Sequence, residues 1–519
     1  MDVSLAYDRP TTVVTEAEAA TVALAVNRQR GAVAFAGRAH DPLLLRQLLL
    51  AQHACASNDA RGAAKGWLSE ADWRQTLDPI MTVHPDQLSF ESFSNDGSCY
   101  ARLTAPLAAF EVEGQPTYGT TNVDFTWDMR PALNTLRSGR DTSFRIGGDG
   151  AATLDQYART VAVKNDWLKG FLQVQGALTM PAFSFDVRPV DLVSIITYLG
   201  EHRARRSPQD MRFEFLPDQE ISVVLEPWKQ RFSLRGTYYR GYERVVRLWG
   251  RTRLAMLGPV LPYADRVTVA VLGRGLPHIY ICHCGPYQFM LALSGWAAND
   301  WAMGSGFDLL AAFSGATADL TRQVSDYLGT HLAASQEEIA AATGVPQDDV
   351  ARALFQLCRA GRVLYDLTAK QYRQRDLFEE PLDLAALFTS DPRLEAAQKL
   401  LEANAVFIRG GVGRGGARRI QTRVVATVHD DIDYSVTVLI DENGRMRFGS
   451  CQCAFFQLNN MSKGPCEHIL ATRLAFDSPA TVAEATQTIM ADEDDDSEDT
   501  DEELADEGDD EAEDADDGE

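Results

Sequence analysis

An apolar helix pattern covers Asp41 to Ala56, and a second follows Pro189 in DLVSIITYLGEH. Between them, stretches such as SCYARLTA and TSFRIGG alternate apolar with polar residues, the two-residue period of a strand. Strand signals dominate after Met211: RFEFL, ISVVLEPW, RFSLRG, VTVAVLG, HIYICHC and QFMLALSG are separated by Gly, Pro and Asp turns. The last three predict a meander. No fixed-period repeat is present, which argues against a solenoid or propeller.

From Thr317 the pattern changes to three helical segments. DLTRQVSDYLGTHLAA is amphipathic, the second segment opens on Ser335 and Glu338 with capping-box spacing and ends at TG, and PQDDVARALFQLCRAG has Pro346 in its first turn and Gly361 just past its end. RVLYDL and KQYRQR then predict a two-stranded wing, completing the winged-helix plan of the helix-turn-helix class. Beyond a linker around Glu379 to Pro381, a helix over Asp391 to Asn404 leads to AVFIR, the glycine-rich GGVGRGGARR, IQTRVVATVHDD and DYSVTVLIDENGRMRFGS. DENG between two alternating runs is a hairpin signal, and this hairpin runs straight into CQCAFFQLNNMSKGPCEH.

A length of 519 residues suggests roughly two to four domains. With 45% apolar and 24% charged residues the chain reads as soluble and globular. Its longest apolar run, LLLRQLLLA, is interrupted by Arg46 and falls short of a membrane span. The acidic beginning MDVSLAYDRPTTVVTEAEAA has no secretory pattern, so a cytoplasmic location without membrane contact is expected. The net charge of -25 is a local property: residues 491 to 519 hold 20 Asp or Glu and no Lys or Arg, and without them -5 remains. That segment has no aromatic residue and is expected to be a disordered tail, either solubilising or able to cover a basic surface as a nucleic-acid mimic.

Eight cysteines are too few for a disulfide scaffold over this length, and three of them fall within sixteen residues. Cys451, Cys453, Cys466 and His468 form a CxC…CxH set, the thiolate and imidazole ligands that zinc takes in a tetrahedron. Residues i and i+2 on a strand lie roughly 6 to 7 Å apart, whereas two sulfurs on one zinc are only about 3.8 Å apart. The strand must therefore curl at Cys451 to Cys453, eased by the conformational freedom of Gly449. Gly464 and Pro465 precede Cys466, and EHILATRLAF predicts a helix whose first turn carries the second ligand pair. Four protein ligands leave no open coordination position, which points to one structural zinc per chain. The plainer alternative is ordinary buried cysteines with a surface histidine.

This CxC, loop and CxH arrangement, entered from a hairpin and left along a helix, resembles the SWIM zinc finger, a ββα module of bacterial SWI/SNF-type helicases and plant transposase-related proteins. All four ligands match. At lower specificity, SGWAANDWAMGSGFDLL (Ser294 to Leu310) and the winged-helix stretch are similar to bacterial SWIM zinc-finger family proteins. That resemblance implies association with a MoxR-type AAA+ ATPase and a von Willebrand A-domain protein, and an adaptor role. The expected fold is α+β multidomain: an N-terminal mixed α/β region over 1–315, as one unit or two subdomains, a winged-helix-like domain over 316–378, a C-terminal ββα SWIM zinc finger within 382–480, and the disordered acidic tail over 491–519.

Cys282, His283 and Cys284 repeat the CxC spacing without a matching pair nearby and read as core packing, while Cys55, Cys99 and Cys358 read as isolated structural residues. GGVGRGGARR lacks the Lys-Ser/Thr ending of a phosphate loop and is followed by a strand. Arg409, Arg414, Arg418, Arg419 and Arg423 suit contact with phosphates or an acidic partner, against the plainer reading of a solvated hairpin loop. In the third winged-helix segment, Gln347, Asp348 and Asp349 would face phosphates, only partly offset by Arg352, Arg359 and Arg362, so protein contact is favoured over DNA. No triad, carboxylate dyad or nucleotide loop stands out. The expectation is a non-enzymatic interaction protein; the alternative is a DNA-binding protein restrained by its acidic tail.

Overall fold

The computed structural model describes the chain apart from residues 1, 8, 57–76, 126–128, 148–157, 205–207, 274–275, 296–300, 302–315, 380–381, 383, 388–391, 417–418, 441–445, 460–463 and 477–519. It is a mixed α+β fold built around an eight-stranded antiparallel sheet. The meander expected from sequence is present as Arg266–Val271, His278–Cys284 and Tyr287–Leu293. Tyr287–Leu293 then pairs with Cys99–Pro106, which continues through Gln87–Phe93 and Ile80–Val83 to Gly119–Asn122. Phe183–Val187 forms the opposite edge.

Both faces of this sheet are covered, so strands such as His278–Cys284 and Tyr287–Leu293 are buried on both sides, and even the alternating Gln87–Phe93 and Cys99–Pro106 bury their polar residues. On His278–Cys284, Tyr280, Cys282 and Cys284 enter one core, while Ile279 and Ile281 enter another. The first core is closed by the helices Pro42–Ala56 and Pro189–Glu201 and by two smaller sheets. One of these is antiparallel, ordered Gln230–Tyr238, Glu220–Leu225, Met211–Phe215, Arg244–Leu248. The other contains a parallel pair, Ala19–Leu24 with Asp141–Ile146, that brings together segments more than a hundred residues apart. The second core lies under the helix Asn165–Leu178 and runs on into the C-terminal sheet, so Leu5, Phe171, Val436 and Leu470 share it. Cys55 and Cys99 are not isolated as expected: helix and strand meet there, and the two buried sulfurs lie 3.7 Å apart.

The helices Ala318–His331, Gln336–Thr343 and Gln347–Arg359 enclose a small core of their own. The capping box of Ser335 and Glu338 forms, because each side chain satisfies a backbone N–H at the helix start. Val363–Asp366 and Gln371–Gln374 pair as expected, and Ala333–Ala334 adds a third short strand. This segment is joined to the eight-stranded sheet by buried charges. Arg375 Nε lies 3.1 Å from Glu91, both side chains fully buried, Arg373 reaches Asp86 at 2.7 Å and Asp366 at 3.2 Å, and Arg102 lies 3.6 Å from Asp366.

The C-terminal sheet orders Val406–Gly416, Arg419–Asp430, Ile432–Ile440 and Met446–Cys451 antiparallel. The glycine-rich stretch is thus strand rather than loop, since its backbone groups are taken up by the neighbouring strand. The linker residues 380–381, the DENG turn, most of Ser294 to Leu310 and the acidic tail lie outside the described residues.

Candidate metal centre

Two short structural events bring the four proposed ligands together. The strand Met446–Cys451 ends at its first ligand, and the chain turns directly into a short helix, Ala454–Asn459, that the sequence reading missed. Helix starts have free N–H groups; here Phe456 N–H donates to Cys453 Sγ at 3.4 Å, and Cys453 N–H donates to Cys451 Sγ at the same distance. The second pair sits where the helix Glu467–Phe476 begins, with Leu470 N–H bonded to the Cys466 carbonyl. Gly464 in the left-handed region, φ 79°, turns the chain into it.

Sulfur atoms of Cys451, Cys453 and Cys466 and a ring nitrogen of His468 all lie within 4.8 Å of one another, and all four residues are buried. That spread suits a zinc radius, where tetrahedral sulfurs sit about 3.8 Å apart. His468 turns Nδ1 toward Cys451 Sγ, 3.8 Å away, while Nε2 meets Asp430 Oδ2 at 3.1 Å. Tyr434 covers the ring, centroid to centroid 4.3 Å. Arg393, from the helix Pro392–Glu402, donates to the carbonyl of Pro465 and lies over the Phe455 ring, bracing both ligand-bearing turns.

The metal-free electrostatics are those of thiols in each other's way. A hydrogen bond from Cys466 pulls Cys451 down to about 4, with His468 acting in the same sense. The Cys451 sulfur, and then burial, push Cys466 up, and burial pushes Cys453 up. Burial lowers His468, yet Cys451, Glu467 and Asp430 together outweigh it and the net shift is upward. One negative charge is tolerated among three sulfurs. A dication would let all three ionise, so the donor set fits bound zinc.

Gly449 acts differently from expectation. It is in regular pairing with Val438, and its missing side chain matters because a Cβ there would meet Ile469 Cγ2 at 3.0 Å. Its role is to let the ligand-bearing helix approach the sheet. Asp430, Tyr434 and Arg393 were not found from sequence; the acidic residues before DYSVT were the only available hint. Among the five arginines, Arg409 and Arg423 are exposed, Arg409 at a bulge between Ile408 and Gly410. Arg423 pairs with Val412, about 10 Å along the strand from Arg409. For Arg414 and Arg419 only the backbone ladder is described, opposite Gln421 and Gly416, and Arg418 lies outside the described residues. Cys282 and Cys284 are buried in the core, and burial pushes Cys282 up and holds it as a thiol.

Residues 434–474 match the family model of the SWIM zinc finger, which spans all four ligands. No curated protein matches the chain. Two solved structures align at 10% identity: the proliferating cellular nuclear antigen of Entamoeba histolytica, over 51% of this chain and 99% of that one with a TM-score of 0.34, and that of Thermococcus kodakaraensis, over 50% and 99% with a TM-score of 0.33. A likeness that slight assigns no fold.

Proposed function

We propose that the chain is a non-enzymatic, cytoplasmic adaptor in which one structural zinc holds a SWIM module as a docking surface. The observation that carries this reading is the donor set: four buried donor atoms lie within 4.8 Å of one another, and on zinc they would fill a tetrahedron and leave no position for water or substrate. When bound, the zinc supplies cross-linking and charge compensation. The chain's own residues do the rest: Asp430 orients His468, and the backbone N–H groups of Cys453 and Phe456 support the sulfurs.

Residues 316–378, with three helices and three short strands, are read as a winged-helix-like domain turned to protein contact. Three cations of its third helix and the turn after it are engaged within the chain: Arg352 pairs with Asp349, Arg362 lies 2.8 Å from Asp376, and Arg359 lies over Phe355. The face carrying Phe355 and Arg359 packs on Gly176 of the helix Asn165–Leu178. Those contacts favour a protein partner over a DNA groove. In keeping with the family resemblance, the partners are a MoxR-type AAA+ ATPase and a von Willebrand A-domain protein. Exposed Arg409 and Arg423 favour a second reading, DNA binding through the hairpin.

Metal analysis is expected to give one zinc per chain, lost in Cys466→Ser. Affinity capture of the intact chain should recover the ATPase with nuclease present; recovery that nuclease abolishes supports the DNA reading instead. Stoichiometric zinc in the variant would refute the assignment.

A further inference from the structure

A groove of about 1190 Å³ opens where the edge strand Phe183–Val187 meets the small antiparallel sheet and the turn after Asp366. That exceeds the roughly 300–1,000 Å³ of a small-molecule pocket and suits a length of chain. Among the described residues, four exposed cations line it, Arg240, Arg244, Arg266 and Lys370, with the carboxylate of Asp186. Arg266 lies 3.0 Å from Asp186, and Arg240 and Lys370 add two further exposed cations. Arg244 is held rigid, its guanidinium 4.3 Å from the Phe183 ring centre and 5.1 Å from that of Phe215. On a chain whose net charge is -25, such a groove is a local inversion of sign.

We infer that this groove is the docking site of the chain's own acidic segment, residues 491–519. Charge is the first argument: that segment has 20 carboxylates and no cation, and the described lining of the groove is mainly cationic. Reach is the second. The zinc module that carries the segment abuts the groove, because Met446 of its sheet lines a smaller cavity that shares Phe183 and Arg244 with the groove. Phe476 ends the last helix, and the fifteen residues from there to Ala491 extend up to about 50 Å. Tethering then supplies an effective concentration on the order of millimolar, enough for weak ion pairs to hold. The site goes beyond the proposed adaptor role and does not depend on it.

Carbodiimide coupling of the intact chain at low salt, read by mass spectrometry, tests this. Lys370 is one of seven lysines, and amide links from its amine to carboxylates of 491–519 are expected within single chains. Links should be lost at 1 M salt, where the screening length falls to about 3 Å, and fall severalfold in Arg240→Glu. That exposed substitution is expected to leave the fold intact, which circular dichroism checks. Absence of Lys370 links at low salt overturns the proposal, as do links unchanged by Arg240→Glu. Mixing equal amounts of isotopically light and heavy chains separates a second copy: mixed light–heavy links at the statistical proportion for random pairing also overturn it. So does protection of Lys370 by a single-stranded oligonucleotide in a chain whose tail never links there. None of these outcomes depends on the identity of an adaptor partner.

Discussion

His468 has two ring nitrogens and two tasks. Nδ1 faces the sulfurs, and Nε2 is held by Asp430 at 3.1 Å, so the carboxylate fixes which nitrogen is free to bind metal. Asp430→Ala is expected to weaken zinc about 10- to 100-fold while leaving all four ligands in place; competition with a chromogenic chelator measures it. The ligands themselves were legible because metal geometry confines them to short spacings along the chain. Asp430 was not, since it stands 38 residues before His468 and no spacing rule connects a strand end to a helix start. Gly449 shows the same limit: its identity was visible, but its reason, the approach of Ile469, exists only once helix and sheet have met.

Elements were legible where their signals are local. The capping box at Ser335, the helix ending at Gly344 and the meander strands follow from chemistry within a few residues of each position. The glycine-rich strand was misread because its partner, not its own side chains, decides its state. Least legible was the joint between the helical segment and the eight-stranded sheet, where Arg375 and Glu91 form a fully buried ion pair that also receives Tyr100 at 2.8 Å. Removing one member strands the other charge. Arg375→Met is therefore expected to cost about 3–5 kcal/mol, and Arg375→Met with Glu91→Leu to recover most of it. Urea unfolding of both variants decides the matter, and a double variant no better than the single one would count against it.

At the scale of the molecule, two histidines tie stability to pH. Burial lowers His84 to about 4, with Arg373 adding to the effect, and burial alone lowers His278 to about 4. Each donates Nε2–H to a backbone carbonyl, Gln374 for His84 and Trp249 for His278, both at 3.0 Å, which a neutral ring satisfies. Folded values below the unfolded 6.5 mean that the unfolded chain binds the protons. Stability is therefore complete above about pH 6.5 and falls as pH drops toward 4, by up to about 3 kcal/mol for each histidine. His84→Gln and His278→Gln should flatten that slope between those limits in urea titrations at constant zinc. A slope unchanged in both variants would assign the acid sensitivity elsewhere.

The second core has a further consequence, one of timing. Leu5 and Leu470 share it, so the chain's first strand cannot find its final surroundings until the last zinc ligands have been synthesised. At about 5–20 residues per second that wait is roughly 20–90 s. Throughout it, Phe171 and Tyr100 lack the C-terminal part of their core. A ribosome-bound chain of this sequence is therefore a natural client for chaperones until zinc closes the structure.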